Sequence, residues 1–325
     1  MPEQTRSCPY CGETIKAVAR KCRFCGEWLV DEGRSGAGDD ISVGSFDRVT
    51  GAAIGRRAQS LVASGIDGDV IQAQGNVSIQ HGKALRDEQY ELAVNWDGQR
   101  NMRGFDLSGR DLSEVELAHA DLRGANLRGA NLRDADLRYC NLNGADLSEA
   151  NLEWAKLEAA DLEGANLSRA FVENADLHVA NLAEAVLDDA NLTGVNAEGC
   201  VFGSASLRRA TMFSAALKEA YFVAADLRKA SLAGAQMERA DLTDIRGMNA
   251  NFSSAELYRA KFKGANLQHA DFTYVRAQGA DFRAASLQQV DFTAADLTGA
   301  VISAKQLASV ASLRYATLPD GRKST

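Results

Sequence analysis

Residues 120–134 read Ala120-Asp121-Leu122-Arg123-Gly124, Ala125-Asn126-Leu127-Arg128-Gly129, Ala130-Asn131-Leu132-Arg133-Asp134, three copies of one five-residue unit. The unit runs on without insertion. From Leu107 to Ile302 a centre recurs at every fifth position, 40 times, and 37 of these centres are Leu, Phe, Met, Val or Ile. The exceptions are Ala197, Gly247 and Ala277, and 31 of the 40 positions two residues before a centre are Ala. A period of five is neither the 3.6 of a helix nor the 2 of a strand, so the chain must turn once per unit.

The phenylalanines set how many units make a coil. Phe202, Phe222, Phe252, Phe262, Phe272, Phe282 and Phe292 are all centres and all lie multiples of ten apart. Phe therefore takes alternate centres and skips those between. Four units per 20-residue coil place these rings on two opposite faces, stacked rung over rung; a ten-residue coil is too tight to enclose side chains. With rungs ~4.8 Å apart, ten coils form a rod about 48 Å long. Alanine fits because each side has room inside for one large and one small residue. The weaker pattern at Val195 to Cys200 and at Ile245-Arg246-Gly247 predicts local bulges. Cys140 and Cys200 fall at the alanine position, three coils apart, and read as small core residues beyond disulfide reach.

This A-(D/N)-L-x-x pattern resembles the pentapeptide-repeat family over about 200 of the 325 residues. The resemblance implies a mainly β chain whose repeats form a right-handed quadrilateral β-helix solenoid. Helical caps are expected at its ends. Leu85, Gln89, Leu92 and Trp96, with Ala93 beside them, make one stripe of a helix over 83–96, with Arg86, Asp87, Glu88 and Glu91 facing away. Ser303 is placed to N-cap a helix from Ala304 to Val310. Capping both ends disfavours open head-to-tail stacking.

Ahead of the repeats, Cys8-Pro9-Tyr10-Cys11-Gly12 and Cys22-Arg23-Phe24-Cys25-Gly26 form two C-x-x-C knuckles. Cys8, Cys11, Cys22 and Cys25 supply four thiolates, which close a tetrahedral structural zinc site and leave no position open for catalysis. The segment resembles the small zinc ribbons at the N-terminus of many bacterial proteins. Lys16, Arg20, Lys21 and Arg23 would let such a ribbon grip nucleic acid. The expected organisation is a zinc ribbon over 1–30 and a flexible linker over 31–40. Residues 41–100 hold a glycine-rich region of short strands, among them 70–74 and 76–80, followed by the capping helix. The β-helix covers 101–302 and the C-terminal cap 303–325.

Composition bounds the function. The net charge of −8 gives no global basic footprint for nucleic acid. No apolar stretch reaches membrane-span length and the first residues are polar, so a cytoplasmic protein without a membrane contact is expected. A core of Leu, Phe and Ala leaves no pocket for a small-molecule substrate, and no enzyme is expected. The exterior carries the information. The residue after each centre points outward, reading Arg123, Arg128, Arg133, Arg138 over one coil. Glu153, Glu158, Glu163, Glu173, Asp188 and Glu198 come after. Arg133 over Glu153 and Arg138 over Glu158 read as cross-rung ion pairs, leaving an acidic surplus in Glu163, Glu173, Asp188 and Glu198. Val201, Tyr221 and Val223 offer a competing apolar contact.

The chain thus reads as a non-catalytic interaction protein, a rigid rod with a recognition surface and the ribbon as a second contact. The partner is a protein, and a homodimer is compatible with the pattern. Two alternatives stand beside this. The resemblance extends to DNA mimics that protect gyrase, which would make a DNA-binding enzyme the partner; a nucleic-acid adaptor working through the ribbon is the other. The knuckles carry one prediction. Purified protein holds about one zinc per chain, lost in Cys11→Ser while the rod stays folded. Elemental analysis finding no zinc, or iron in its place, overturns it.

Overall fold

The computed structural model describes residues 101–324 without a break, one helix before them, and four short strands nearer the N-terminus. Two compact units divide the chain, Met1–His81 and Gly82–Thr325. In the first, β1 (Thr5–Ser7) pairs antiparallel with β2 (Thr14–Lys16), and β3 (Gln72–Gln74) with β4 (Asn76–Ser78). β3 and β4 fall inside the two stretches expected as strands, and they pair with each other antiparallel. The four knuckle cysteines and the linker lie outside the described residues.

In the second unit, residue n bridges residue n + 20 in parallel, from Asn101↔Asp121 to Asp281↔Val301. Four units therefore make one coil. Within a unit the backbone is almost fully paired. The Leu122 N–H reaches the Asn141 carbonyl one coil on (2.7 Å), and Gly124 N–H reaches that of Asn143 (3.0 Å). Asn126 N–H reaches back to Phe105 (2.8 Å), and Ala125 N–H closes the corner onto Leu122 (3.0 Å). That corner, Leu122 to Ala125, has positive φ at its third residue alone (Gly124, +63°), which defines a type II turn. A Cβ at Gly124 would touch nothing, so glycine is there for its backbone freedom rather than for space.

The Asp/Asn before each centre has two tasks. Its Oδ1 accepts the N–H two residues on, as from Arg123 to Asp121 (3.3 Å) and Asn143 to Asn141 (3.1 Å). An Asn also donates down the column to an Asp: Asn126 to Asp106 (3.0 Å), Asn131 to Asp111 (2.8 Å), Asn196 to Asp176 (2.9 Å). Where Asp and Asn alternate, the column hydrogen-bonds to itself; Asp271 over Asp291 departs from this, each carboxylate accepting instead from the Thr N–H two residues on.

We number the faces by their centres: face 1 holds Leu122 and Phe202, face 2 Leu127 and Leu187, face 3 Leu132 and Met212, face 4 Leu137 and Leu177. Centres and alanines are buried along the rod, the aromatic centres completely. Phe202 stacks on Phe222 at 4.7 Å and Phe262 on Phe282 at 5.1 Å on face 1, and Phe252 on Phe272 at 4.7 Å on face 3. Rings from the two faces meet edge to face across the interior, Phe252 with Phe262 at 5.7 Å and Phe262 with Phe272 at 5.6 Å. Phe213, one past a centre, is 52% exposed. The inward register is as the period required.

The bulges expected near residues 195 and 245 are absent. Asp176↔Asn196↔Ala216 and Asp226↔Arg246↔Asn266 continue the ladder through both places. The departures are exchanges of volume within one unit. Val195 precedes Ala197, Ile245 precedes Gly247 and Val275 precedes Ala277, all buried, so the large residue occupies the alanine slot and the small one the centre. At Gly247 an added Cβ would stand 2.9 Å from Leu267 Cδ2 and 3.3 Å from Ile245 Cδ1, because those side chains already fill the space.

The ends are closed by side chains standing in for missing rungs. Helix α1 (Gly82–Val94) sets Gln89 Oε1 on the Asp106 N–H (2.7 Å), which has no coil beneath it to bond. Its packed side is rotated from the expected stripe. Ala93 is buried and Tyr90 packs on the core, while Leu92 is 53% exposed. Asp87, expected to face away, pairs with Arg110, whose guanidinium also lies over the Tyr90 ring. At the other end α2 is shorter than expected, Ala304–Leu307, with a capping box between Ser303 and Gln306. Gln306 Nε2 donates to the carbonyls of Phe282 (2.6 Å) and Ala285 (2.9 Å). The chain then rejoins the ladder one residue out of step, Asp291↔Ser312 and Asp296↔Thr317, before Lys323 pairs antiparallel with Thr317.

The exchange yields a prediction. Ile245→Ala alone costs about 2–5 kcal/mol through the cavity it opens. Ile245→Ala with Gly247→Leu restores the common order and costs less than about 1.5 kcal/mol. Denaturant melts showing the double variant as unstable as the single one would refute the exchange.

Candidate interaction surface

Positions five residues apart sit on neighbouring faces, and only multiples of 20 share a column. This redistributes the acidic residues. Glu163 lies on face 1, Asp188 on face 2, Glu153 and Glu173 on face 3, and Glu198 on face 4. They form a collar around the rod rather than a band along one side.

Most of them also have partners. Arg133 pairs with Glu153 as expected. Arg138 does not reach across to Glu158; it turns back onto Asp136, with Nε at 2.9 Å and Nη2 at 2.6 Å. Two residues apart on one strand, Asp136 and Arg138 flank a single centre, and that fork is closer than the next coil. Glu163 and Glu173 accept hydrogen bonds from Asn181 and Asn191. Asp188 is a correction to the surplus: it is buried, and accepts from Ser206 Oγ (2.6 Å), Arg208 N–H (3.1 Å) and Arg208 Nε (2.8 Å). Burial pushes the Asp188 carboxyl up, and these bonds outweigh it to hold the group below the ordinary carboxylate range.

Face 2 carries a cluster that the linear sequence conceals. Arg208, Arg209, Arg228, Lys229 and Arg246 lie on consecutive rungs with Asp188, Asp189 and Asp226 among them. Arg209 Nε sits 2.6 Å from Asp189, and Arg228 Nε 2.8 Å from Asp226. The signs are interleaved, so the cluster is knitted rather than exposed as one field.

The three apolar residues do come together. Val201 bridges Tyr221 directly, and Val223 stands two residues along on the same rung. Tyr221 is 51% and Val223 41% exposed, with Val201 half-buried beside them. The remaining outward positions of these two rungs are Gly203, Ser204 and Ala224, so the patch on face 1 has no charge within it. Sequence reasoning passed over the exposed aromatics of face 3, namely Trp154, Phe171, Phe213 and Tyr274. They lie up to 120 residues apart in the chain, and the 20-residue coil brings them to one face, Trp154 and Tyr274 in one column with Phe171 and Phe213 in two others.

Among the described residues, the rest of the surface offers little chemistry. An open cleft of about 540 Å³ lies where α2 meets the last coil, lined by Arg283, Leu287, Gln288, Val301, Lys305 and Gln306; Arg283 is held by Asp281. His178 is exposed, and Glu158 lies 3.4 Å from the Tyr139 hydroxyl. Cys140 and Cys200 are buried; the Cys140 thiol donates to the Leu117 carbonyl (2.8 Å), and burial pushes the Cys200 thiol well up. No helix among the described residues is long and apolar enough to cross a membrane.

Comparison with known proteins gives the repeat a place. The sequence profile of the family described as Pentapeptide repeats matches in eight copies that begin at residue 99 and end at residue 303. Among solved structures, the chain is similar to HetL, a pentapeptide repeat protein involved in heterocyst differentiation regulation from the cyanobacterium Nostoc sp. strain PCC 7120. Identity is 31% over 73% of this chain and 97% of that one, with a TM-score of 0.28. It is also similar to QnrB1, a plasmid-mediated fluoroquinolone resistance protein (17% identity, 65% and 90% covered, TM-score 0.37). A third is Rfr23 from the cyanobacterium Cyanothece 51142 (24% identity, 47% and 92% covered, TM-score 0.16). No curated protein matches the chain.

The paired carboxylates predict a pH dependence. Arg138's hydrogen bonds pull the Asp136 carboxyl below its usual range, against the opposing effect of burial. At Asp226 burial pushes up, and the hydrogen bonds from Arg228 prevail. A depressed native pKa contributes stability above the unfolded value of about 3.9, and that stability is lost as pH falls through the native one. Melting temperature is therefore flat through neutral and mildly acidic pH and drops below about pH 4. Asp136→Asn with Asp226→Asn makes that drop shallower; an unchanged acid limb counts against the pairs.

Proposed function

The chain belongs to the pentapeptide-repeat family, and we propose that it works as a non-catalytic interaction protein, a rigid rod that presents a recognition face to a protein partner. The observation that carries this is the patch of Val201, Tyr221 and Val223. Among the described residues it is the one sequence-predicted contact whose members lie together, half exposed, on rungs that bear no charge. The collar of acids gives weaker support to a charge-driven encounter, since Glu153 and Asp188 are neutralised in place. The same pairing weakens the DNA-mimic reading, which asks for rows of free carboxylates, and likeness to QnrB1 at 17% identity speaks for the fold alone. A zinc ion held by Cys8, Cys11, Cys22 and Cys25 completes the proposal. It would fold the N-terminal segment as a second contact, and the support is the spacing of the two knuckles.

The two surfaces separate experimentally. With the full chain as bait, Tyr221→Ser with Val223→Ser loses the captured partner, mainly through faster dissociation. Glu163→Lys with Glu173→Lys keeps it and alters only the salt dependence of association. If the acidic pair is the one that abolishes capture, the recognition face is the collar and the proposal is wrong.

A further inference from the structure

Face 3 lies opposite the Tyr221 patch and has a different character. Between Glu173 and Asp271 its outward positions run Asn174, then Asn191, Thr193, Gly194, then Thr211, Phe213, Ser214, then Ser231, Ala233, Gly234, then Asn251, Ser253, Ser254. None is charged, on a chain in which a quarter of all residues are. Polar groups here partly satisfy themselves: Thr193 Oγ1 donates to Asn191 Oδ1 (2.7 Å), and Asn251 Oδ1 accepts the Ser253 N–H (2.8 Å). Such a strip gives up little hydration when it is covered.

The strip has a centre. Ser214 stands midway between its ends, Asn174 and Ser254, with the half-exposed Phe213 ring beside it. The same residue is also the midpoint of Trp154 and Tyr274, each three coils away in its column. Both rings are exposed, Trp154 by 51% and Tyr274 by 65%, and both residues hold left-handed backbone, at φ of 60° and 59°. A bulky side chain in that conformation carries a local cost, and these two recover little by packing on their own rod.

We propose that face 3 is a self-association surface, on which a second copy of this chain packs antiparallel about a two-fold axis crossing the face at Phe213. Such an axis keeps every column over itself and exchanges the rungs above and below. Phe213 then meets its own copy, and each Trp154 meets the other chain's Tyr274 about 29 Å apart along the dimer. Charge selects the antiparallel sense. Glu153 and Glu173 come opposite Thr273 and Ser253, and Asp271 opposite Asn151. Asp291 comes opposite Asn131, beside Arg133. The rungs of Glu153 and Asp271 face each other with their carboxylates two columns apart, whereas a parallel pair would set every acidic rung, those of Glu173 and Asp291 included, against its own copy. The surface is independent of the Tyr221 face, which stays outward on both copies.

Sedimentation of the full chain across micromolar to high-micromolar concentration tests this. The wild type shifts to twice the chain mass. Phe213→Arg weakens the dimer at least tenfold with an unchanged circular dichroism melt. Trp154→Lys and Tyr274→Glu each weaken it alone, and mixing the two variants restores a heterodimer, because antiparallel packing brings the new lysine opposite the new glutamate. A wild type that stays monomeric throughout, or a dimer indifferent to Phe213→Arg and to both column variants, overturns the surface. A dimer broken by the single changes but not restored on mixing overturns the antiparallel register.

Discussion

The structure depends on one constraint: the backbone must complete a right-angled corner every five residues while leaving its remaining N–H and C=O groups in line with the coils above and below. The type II turn achieves this by holding its third residue at positive φ, closed by the N–H of the next alanine. Once the corner is fixed, the alternation of one large and one small inward residue follows from the enclosed area. So does the Asp/Asn column, since only a short polar side chain at that position reaches the N–H two residues on. The packing of the rod is thus a consequence of how its corners are made. That explains why large and small can trade places, as in Ile245 and Gly247, without disturbing the ladder.

The same logic governs both ends. A coil that pairs with its neighbours leaves open groups at the first and last rung, and unpaired buried N–H and C=O groups are costly. Gln89 and Gln306 are long enough to reach into the ladder from a helix and supply one acceptor and one donor. The final antiparallel pairing of Thr317 with Lys323 reverses the chain direction at the exposed edge, where another parallel rung would otherwise find a template.

Much of this was legible in the sequence. The five-residue period, the alternate phenylalanines and the alanine slot determine the coil length and which side chains point inward. The rest was hidden for identifiable reasons. The units around Val195 and Ile245 look like interruptions when each position is judged alone, and only the summed volume of two slots shows that nothing is displaced. The rotation of α1 is set by where Tyr90 and Ala93 find the end of the first coil, which the helix's own periodicity does not encode. Arg138 had two acidic neighbours at similar reach, and linear spacing does not rank a fork on its own strand against a partner one coil away. The aromatics of face 3 were in plain view as letters, but three coils separate Trp154 from Phe213. For the four knuckle cysteines, spacing remains the whole of the argument.

A chain with this geometry has an unusual response to insertion and deletion. Loss or gain of 20 residues removes or adds a coil and leaves all columns aligned, changing only the length. Five residues are equally compatible with the corners and the core, yet everything beyond the change turns by a quarter relative to what came before. Tyr221 would then leave the side of the rod on which Val201 lies if the change fell between them, with neither side chain altered. Lineages of such a chain can therefore re-compose a face by shifting phase, without a single substitution on it.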